Sequence, residues 1–288
     1  MVEPVKRGER RARQREANAG RAAEMHKARL NWQRARLFEP PVEGEATLDR
    51  FYVGCSGWFY WHWRGRFYPN DLPTRCWFER YSQSFNTVEL NAPFYSWPMV
   101  ATVKSWIRQA GDRPFVYTVK VSELITHVKR FHGTKTLVRD FGHIADLLGP
   151  RMGCFLFQLP PSYEYSPARL RDILAQLDPA RRNVVEFRHA TWWNPRVFDA
   201  FRKSGTIFCS TSGPNLPDDL IATDDEVYIR FHGSTNWYRD DYSAEELAAW
   251  SAKVRACGAG RVWAYFNNDH EAHAVENARD FYQLLRNG

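Results

Sequence analysis

The chain has 288 residues, of which 44% are hydrophobic and 15% aromatic, so it can bury the core of one α/β domain of about 240 residues. No apolar run approaches the roughly 18 residues of a transmembrane helix, and the N-terminus lacks the apolar stretch of a secretory signal. The five cysteines are widely spaced and form no C-x-x-C pair, which disfavours a disulfide framework and a thiolate zinc site. We therefore expect a cytoplasmic protein with no membrane partner.

The net charge of +7 is concentrated at the N-terminus. Residues 1–40 contain 11 Lys and Arg against 5 Glu, whereas the remaining 248 residues contain 29 basic and 28 acidic groups. This composition predicts a basic N-terminal arm over residues 1–44, largely disordered or helical, followed by a folded domain over residues 45–288. We expect the arm to be a solvated tail that is separable from the domain. The alternative is a contact surface for nucleic acid or another acidic partner.

Short β-branched and aromatic runs alternate with helical patterns from residue 50 onward. The predicted strands cover residues 51–54, 87–91, 115–121, 152–159, 183–189, 205–211, 227–233 and 262–269. The predicted helices cover residues 73–85, 100–110, 136–148, 166–177, 192–204, 243–257 and 271–286, and the link after the sixth strand is irregular. This alternation predicts an α/β fold with a single (β/α)8 TIM barrel, and an open doubly wound sheet is the alternative. No G-x-G-x-x-G or P-loop motif follows a strand.

The segment VEFRH at residues 185–189 alternates apolar and ionisable residues within a predicted barrel strand. Neither face of a barrel strand meets bulk water, because one faces the interior and the other faces the surrounding helices. Placing the bulky apolar residues toward the helices turns a polar set inward near the carboxyl ends of the strands: Glu89, Asn91, Lys120, Ser122, Gln158, Glu186, Arg188, Arg230, His232, Tyr265 and Asn267. Barrel enzymes assemble their sites at that end, so we expect VEFRH to face an open, hydrated pocket.

Seven segments follow a family pattern in chain order: GCSGWFYWHWRGRFYP (54–69), YSQSFNTVELNAPFYSWP (81–98), KVSELITH (120–127), FQLPPS (157–162), VEFRHATWW (185–193), RFHG (230–233) and YFNNDHEAHAVENA (265–278). Together they resemble the YecE-like family, also called domain of unknown function 72, over residues 51–285. The resemblance implies a TIM barrel and a relationship to metal-dependent sugar isomerases and enzymes of the apurinic endonuclease IV type. Cys55 stands where the family usually has Thr, and the basic arm lies outside the pattern.

Glu89 and Glu186 are the candidate acid–base pair, and His232 is a third candidate catalytic residue. The two carboxylates lie three strands apart in the predicted barrel, a separation that general acid–base or glycosidase chemistry can use. Alternatively, interior cations neutralise each carboxylate in a salt-bridge network.

A divalent metal ion, zinc or manganese, is a further hypothesis, because the chain provides oxygen and imidazole ligands. The candidate ligands are Glu89, Glu186, His127, His189, His232 and Asp269. Three interior cations oppose this site and no H-E-x-x-H motif is present, so no cofactor is evident from the sequence.

Lys120, Arg188 and Arg230 fit an anionic ligand, because three cations against two glutamates leave one positive charge to be balanced. The other candidate substrate-binding residues are Asn91, Tyr95, His127, Gln158, His189, Tyr265, Asn267, Asn268 and Asp269. The aromatic loop over residues 57–69 is either a lid over a sugar or base or a loop that packs its own core.

These observations predict an enzyme with hydrolase-like acid–base chemistry that acts on a polar, anionic small molecule or a nucleic-acid fragment. The alternative is a non-catalytic nucleotide or nucleic-acid binding module that uses the same pocket together with the arm. Turnover of phosphodiester, phosphosugar or glycoside substrates distinguishes the two.

Overall fold

Eight parallel strands form the centre of the molecule. The computed structural model describes residues 4–36 and 49–287, and its strands are β1 (Phe51–Cys55), β2 (Thr87–Leu90), β3 (Val116–Lys120), β4 (Met152–Gln158), β5 (Asn183–Glu186), β6 (Ile207–Ser212), β7 (Glu226–Phe231) and β8 (Arg261–Phe266). Their order is β1-β8-β7-β6-β5-β4-β3-β2, so β8 returns to β1 and the sheet curves into a barrel. The predicted TIM barrel is confirmed, and the predicted strands agree with the observed ones within a few residues.

A tyrosine hydroxyl bridges the seam between β1 and β2. The N–H of Cys55 donates to Tyr81 Oη at 2.8 Å, and Tyr81 Oη donates to the carbonyl of Thr87 at 3.0 Å. A Cβ atom on Gly54 would lie 2.4 Å from that same carbonyl oxygen. Glycine therefore permits the close approach of the two strands at the point where the barrel closes.

Helices follow every strand except β6, and the described residues 213–225 between β6 and β7 contain no helix. The helices are α1 (Pro4–Ala35), α2 (Trp77–Ser82), α3 (Ala92–Tyr95), α4 (Val100–Ala110), α5 (Lys135–Leu148), α6 (Pro167–Gln176), α7 (Pro195–Ser204), α8 (Ala244–Cys257) and α9 (His273–Asn287). Ser166 caps α6, and Ser243 forms a capping box with Glu246 at the start of α8. Helix α3 and a π-helical turn over Leu124–Val128, which the sequence analysis missed, lie directly after β2 and β3.

The barrel interior has an apolar layer and, nearer the carboxyl ends of the strands, a polar layer. The apolar layer consists of Tyr52, Val116, Cys154, Leu156, Val184, Ile207, Cys209, Tyr228, Trp263 and Tyr265. The polar layer begins two residues further along several of these strands, because side chains alternate between the two faces of a strand. It contains Glu89, Lys120, Gln158, Glu186 and Arg230.

Helix α1 packs on the barrel, so the prediction of a solvated arm is wrong, whereas the helical alternative is confirmed. Asn18, Ala22 and Met25 are buried on one face of this helix. The Asn18 amide donates to the carbonyl of Tyr95 at 2.9 Å and accepts from the N–H of Trp97 at 3.0 Å. The low mean hydropathy of α1 does not reveal these contacts, because only a few side chains, mostly small or polar, make them.

Ion pairs also join α1 to the barrel. Arg11 and Arg15 donate to the buried carboxylate of Glu123, and Arg29 donates to the buried carboxylate of Asp140. Part of the basic charge of the arm is therefore balanced by carboxylates of the same chain. The predicted boundary at residue 44 falls within residues 37–48, outside the described residues.

Among the described helices, none is long and apolar enough to cross a membrane.

Candidate active site

Arg230 is the centre of the polar layer at the carboxyl end of the barrel. Its two terminal nitrogens donate to different carboxylates, NH1 to Glu186 Oε2 at 2.6 Å and NH2 to Glu89 Oε1. The guanidinium is 1% exposed and both carboxylates are fully buried. The two glutamates, which come from β2 and β5, are therefore held by one cation inside the barrel.

The second oxygen of Glu186 contacts Arg188, in the same VEFRH segment, and His232, which directly follows β7. Arg188 Nε donates to Glu186 Oε1, and His232 Nε2 lies 3.1 Å from the same oxygen. Arg188 and Arg230 hold the pKa of Glu186 well below its ordinary value, against the opposing effect of burial. Glu186 is thus a stable carboxylate, which is a poor proton donor and a weak base.

Glu89 is satisfied by hydroxyl groups as well as by Arg230. Ser56 Oγ donates to Glu89 Oε1 at 2.8 Å, and Tyr228 Oη donates to Glu89 Oε2 at 2.6 Å. Each oxygen of the carboxylate therefore accepts at least one hydrogen bond from the protein. This closed network corresponds to the salt-bridge alternative, and the geometry does not support an acid–base pair of Glu89 and Glu186.

His232 is fully buried beside these groups. Burial, followed by the positive charges of Arg188 and Arg230, lowers the pKa of His232 well below its ordinary value, so the ring is neutral near pH 7. Its Nδ1 lies 3.2 Å from the amide nitrogen of Asn267, and its Nε2 lies 2.9 Å from Arg188 NH2. Both ring nitrogens are engaged within the protein, so the geometry does not support the predicted catalytic role of His232.

Lys120 differs from the other charged residues of the polar layer. Its Nζ atom lies 4.2 Å from the centre of the Phe94 ring and makes no hydrogen bond or ion pair with the described residues. Burial, followed by the charge of Arg230, lowers the pKa of Lys120 to about 7. Lys120 is also 9% exposed, whereas Arg230 is 1% exposed. The amine of Lys120 therefore has no protein partner among the described residues, and its pKa lies near neutral pH.

Arg188 offers a second free donor at the same end of the barrel. Its Nε and NH2 atoms contact Glu186 and His232, but its NH1 atom has no hydrogen-bond partner among the described residues. The guanidinium packs 4.6 Å from the ring of Trp237, which restricts its orientation. The Arg188 side chain is only 8% exposed, and Arg230 pairs with both glutamates within the barrel. The expectation that this end of the barrel is open and hydrated stays a prediction.

Three further predicted residues lie in or beside this polar layer. His127 packs edge-on to the Phe94 ring at 4.9 Å, and burial followed by Lys120 lowers its pKa to about 4. Gln158 is 8% exposed at the end of β4 and donates to the carbonyl of Leu159. Asn91 donates to the carbonyl of Ser56, while its side-chain oxygen is buried with no partner among the described residues.

Four other candidate substrate-binding residues make structural contacts elsewhere, and their predicted role has no support in the geometry. Tyr265 belongs to the apolar layer, where its hydroxyl lies 2.8 Å from the hydroxyls of Thr87 and Thr118. Asn268 is fully buried and donates to Asp240 and Asn277, which fixes the loop after β7. Tyr95 is 54% exposed on the outer surface, and His189 caps the turn over Ala190–Trp192. The alternation of side chains along a strand predicts which face of the strand a side chain occupies. It does not predict how far along the barrel the side chain lies or which groups it contacts.

Asp269 connects the aromatic loop to the end of β8. Its Oδ1 atom accepts from Trp63 Nε1 at 2.6 Å, and its Oδ2 atom lies 3.0 Å from His62 Nε2. Burial raises the pKa of Asp269. Trp63 and Tyr68 of this loop are buried and Tyr68 stacks on Trp77 at 4.5 Å, whereas Phe59 and Trp61 are exposed, so the loop packs only part of its aromatic side chains into a core.

The six candidate metal ligands do not form one site. Glu89 and Glu186 are occupied by Arg230, whereas His189 and Asp269 lie in separate local contacts. Among the described residues, His270, Glu271 and His273 bring three candidate ligand atoms close together instead.

The sequence analysis missed several residues around the polar layer, namely Ser56, Phe94, Tyr228 and Trp237. Two of them could have been identified from their positions in the sequence. Ser56 directly follows β1 on the inward face, and Tyr228 lies two residues before Arg230 on β7. Phe94 and Trp237 lie in segments after strands, where the sequence gives no inward or outward alternation.

Comparison with known proteins agrees with this architecture. A family model described as "Protein of unknown function DUF72" matches residues 52–288, which is most of the chain. The chain belongs to the DUF72 family. The YunF protein of Bacillus subtilis (UPF0759) is 23% identical over 278 residues, covering 81% of this chain and 94% of YunF. The YecE protein of Escherichia coli K12 (UPF0759) is 32% identical over 114 residues, which is 38% of this chain and 41% of YecE.

A solved DUF72 family protein from Thermotoga maritima is similar in structure, with a TM-score of 0.74 and 27% identity. The likeness covers 83% of this chain and all of that protein. The DUF72 match begins at residue 52, so the polar layer lies within the family region and helix α1 lies outside it.

Proposed function

We propose that the carboxyl end of the barrel binds a small anionic molecule between Lys120 and Arg188, and that Lys120 transfers a proton in the reaction. The observation that supports this proposal is the Lys120 amine, which lies beside the Phe94 ring and has no hydrogen-bond or ion-pair partner among the described residues. Native proteins rarely bury a charged donor without a partner, because desolvation of the charge is costly. A ligand that supplies the missing acceptor accounts for the retention of this lysine.

The charge of the polar layer favours an anion. Arg188, Arg230 and a protonated Lys120 carry three positive charges, and Glu89 and Glu186 carry two negative charges. A phosphate or carboxylate group balances the excess charge and accepts from Lys120 Nζ and Arg188 NH1. The two glutamates then have an indirect role, because they fix Arg188 and Arg230 in place.

Lys120 is better suited to proton transfer than the glutamates. A general acid or base is most effective when its pKa lies near the working pH, and the pKa of Lys120 is about 7. A lysine beside other cations is also a recognised form of activated amine. We propose hydrolysis of a phosphodiester, phosphosugar or glycoside as the reaction class, with Lys120 in place of the predicted glutamate pair.

The binding-module alternative shares this site but requires no turnover. Its second element, the basic arm, has less free charge than its composition indicates, because Arg11, Arg15 and Arg29 pair with barrel carboxylates. This favours a small-molecule ligand over a nucleic acid whose affinity depends on the arm.

The proposal is tested by titrating the parent protein with sulfate, phosphate and a sugar phosphate in a calorimeter, followed by a turnover screen of the three substrate classes. The Lys120→Met variant removes the amine, and Lys129→Met removes an exposed lysine of the same loop as a matched control. We expect binding to the parent and to Lys129→Met, and none to Lys120→Met. Equal binding by all three proteins would refute the proposed site, and binding without turnover would favour the binding module.

A further inference from the structure

A second group of functional side chains lies outside the polar layer, on the rim of the barrel just after β8. His270, Glu271 and His273 each offer a ligand atom, and these three atoms lie within 4.8 Å of one another. We propose that these residues form a binding site for Zn²⁺.

The chemistry of the three groups fits zinc. Imidazole nitrogen and carboxylate oxygen are zinc ligands, and two His with one Glu is the protein ligand set of several open zinc sites. Zn–N distances of about 2.0–2.1 Å in a tetrahedron place ligand atoms about 3.4 Å apart. Side-chain rotations at this partly exposed surface can bring the three atoms to that separation.

The local backbone places the three residues at one point. His270 and Glu271 lie in a short 3₁₀ turn and His273 begins α9, so the two histidines face each other with ring centroids 6.2 Å apart. Glu271 has φ 56° and ψ 17°, which turns the chain between them. The N–H of His270 donates to the carbonyl of Tyr238 at 3.1 Å, which anchors the turn to the loop after β7.

A cavity of about 610 Å³ adjoins the group, and His270 and Glu271 form part of its wall. The remaining wall residues are His62, Arg66, Tyr238, Arg239 and Asp269. A metal ion with three protein ligands therefore has an open side for water or an anionic ligand. The three ligands would form an open site rather than a closed structural zinc site.

The charges around His270, Glu271 and His273 determine how tightly we expect the site to bind Zn²⁺. Asp241 Oδ2 lies 3.5 Å from His273 Nδ1 and is available as a second carboxylate. Two guanidiniums oppose the cation, since Arg66 lies 3.4 Å from Glu271 Oε2 and Arg239 lies 3.3 Å from His270 Nε2. We therefore expect micromolar rather than nanomolar affinity for Zn²⁺.

The test uses the untagged full chain and zinc chloride in isothermal titration calorimetry, with Co²⁺ absorption as a second readout of coordination. His270→Gln combined with His273→Gln removes two ligands, and His132→Gln changes an exposed histidine elsewhere as the control. We expect one Zn²⁺ per chain, with affinity at least about tenfold weaker in the double variant and unchanged in the control.

We expect a third variant to strengthen Zn²⁺ binding rather than weaken it. Arg66→Gln removes a positive charge beside Glu271 and should tighten Zn²⁺ binding about tenfold, as expected for a unit charge about 5 Å from a divalent cation in water. No Zn²⁺ binding by the parent, or equal binding by the parent and the double variant, would overturn the proposal.

Discussion

Lys120 Nζ, at the end of β3, lies against the face of the Phe94 ring, 4.2 Å from its centre. An aromatic face attracts a cation but does not accept as many hydrogen bonds as an ammonium group can donate. Burial of the amine, followed by the charge of Arg230, lowers the pKa of Lys120 from 10.5 to about 7.

This depressed pKa predicts that Lys120→Met stabilises the fold. When the pKa of a lysine is lower in the folded than in the unfolded protein, its titration does not lower the stability of the fold at pH values above the unfolded pKa. The loss of stability grows as the pH falls from 10.5 to about 7 and is constant below that range. We expect Lys120→Met to raise the free energy of unfolding by about 1 to 5 kcal/mol at pH 7, and by much less near pH 10. Urea unfolding at both pH values, with Lys129→Met as the control, measures the difference. A destabilised variant at pH 7 would contradict the assignment of Lys120 as an unpaired buried amine.

Arg230 and Arg188 should differ in their effects on stability. Arg230→Met leaves Glu89 and Glu186 without their shared cation and should cost about 3 to 5 kcal/mol. Arg188→Met leaves Glu186 paired with Arg230, so we expect a loss of about 1.5 to 3 kcal/mol, the contribution of one charged hydrogen bond.

Thermal and urea unfolding of both variants tests this order. The control is Arg202→Met, which removes an exposed pair with Asp199 and should change stability by less than about 1 kcal/mol. A larger loss of stability for Arg188→Met than for Arg230→Met would show that Arg230 is not the centre of the network.

The contact between α1 and the barrel predicts a defined cost for one side chain. Asn18→Ala removes the donor to Tyr95 and the acceptor for Trp97, and should cost about 1 to 3 kcal/mol. Asn31→Ala changes an exposed position of the same helix and should stay within about 0.5 kcal/mol of the parent. If both variants unfold like the parent, α1 does not pack on the barrel in solution.

The seam between β1 and β2 predicts opposite effects for two glycine substitutions. Gly54→Ala places a methyl group 2.4 Å from the carbonyl of Thr87 and should cost about 1 to 3 kcal/mol or more. Gly142→Ala in α5 has no neighbour closer than 3.9 Å and should stabilise by about 0.5 to 1 kcal/mol. Denaturant unfolding of the pair measures both signs, and a neutral Gly54→Ala would show that the strands are not in close contact.

The barrel and the inward set of charged residues were predictable from the sequence, because strand alternation follows from local chemistry. Glu186 and Arg188 in VEFRH were predicted to face inward, and the structure places Glu186 in the polar layer with Arg188 donating to its carboxylate. The closure of that layer was not predictable. It depends on Arg230 bridging carboxylates from β2 and β5, and such a contact is set by barrel geometry rather than by any segment.

The packing of α1 was missed for a different reason. Asn18 reads as a polar residue in a basic, low-hydropathy segment, yet it is fully buried against the backbone after β2. Composition averages over a helix and cannot show that one face is complementary to another surface. Phe94 was missed because it lies in the short helix after β2, where neither strand nor long-helix periodicity applies.

The central claim is that Lys120 binds an anion and takes up a proton as it does so. A bound anion favours the charged amine and raises the pKa of Lys120 above about 7, so affinity should fall as the pH rises through 7 and beyond. The most direct measurement is calorimetric titration with sulfate, which does not itself titrate near neutrality, at pH 7.5 in two buffers of different ionisation enthalpy. We predict proton uptake by the parent and by Lys129→Met, and no sulfate binding by Lys120→Met. Sulfate binding without proton uptake, or equal binding by Lys120→Met, would contradict the account.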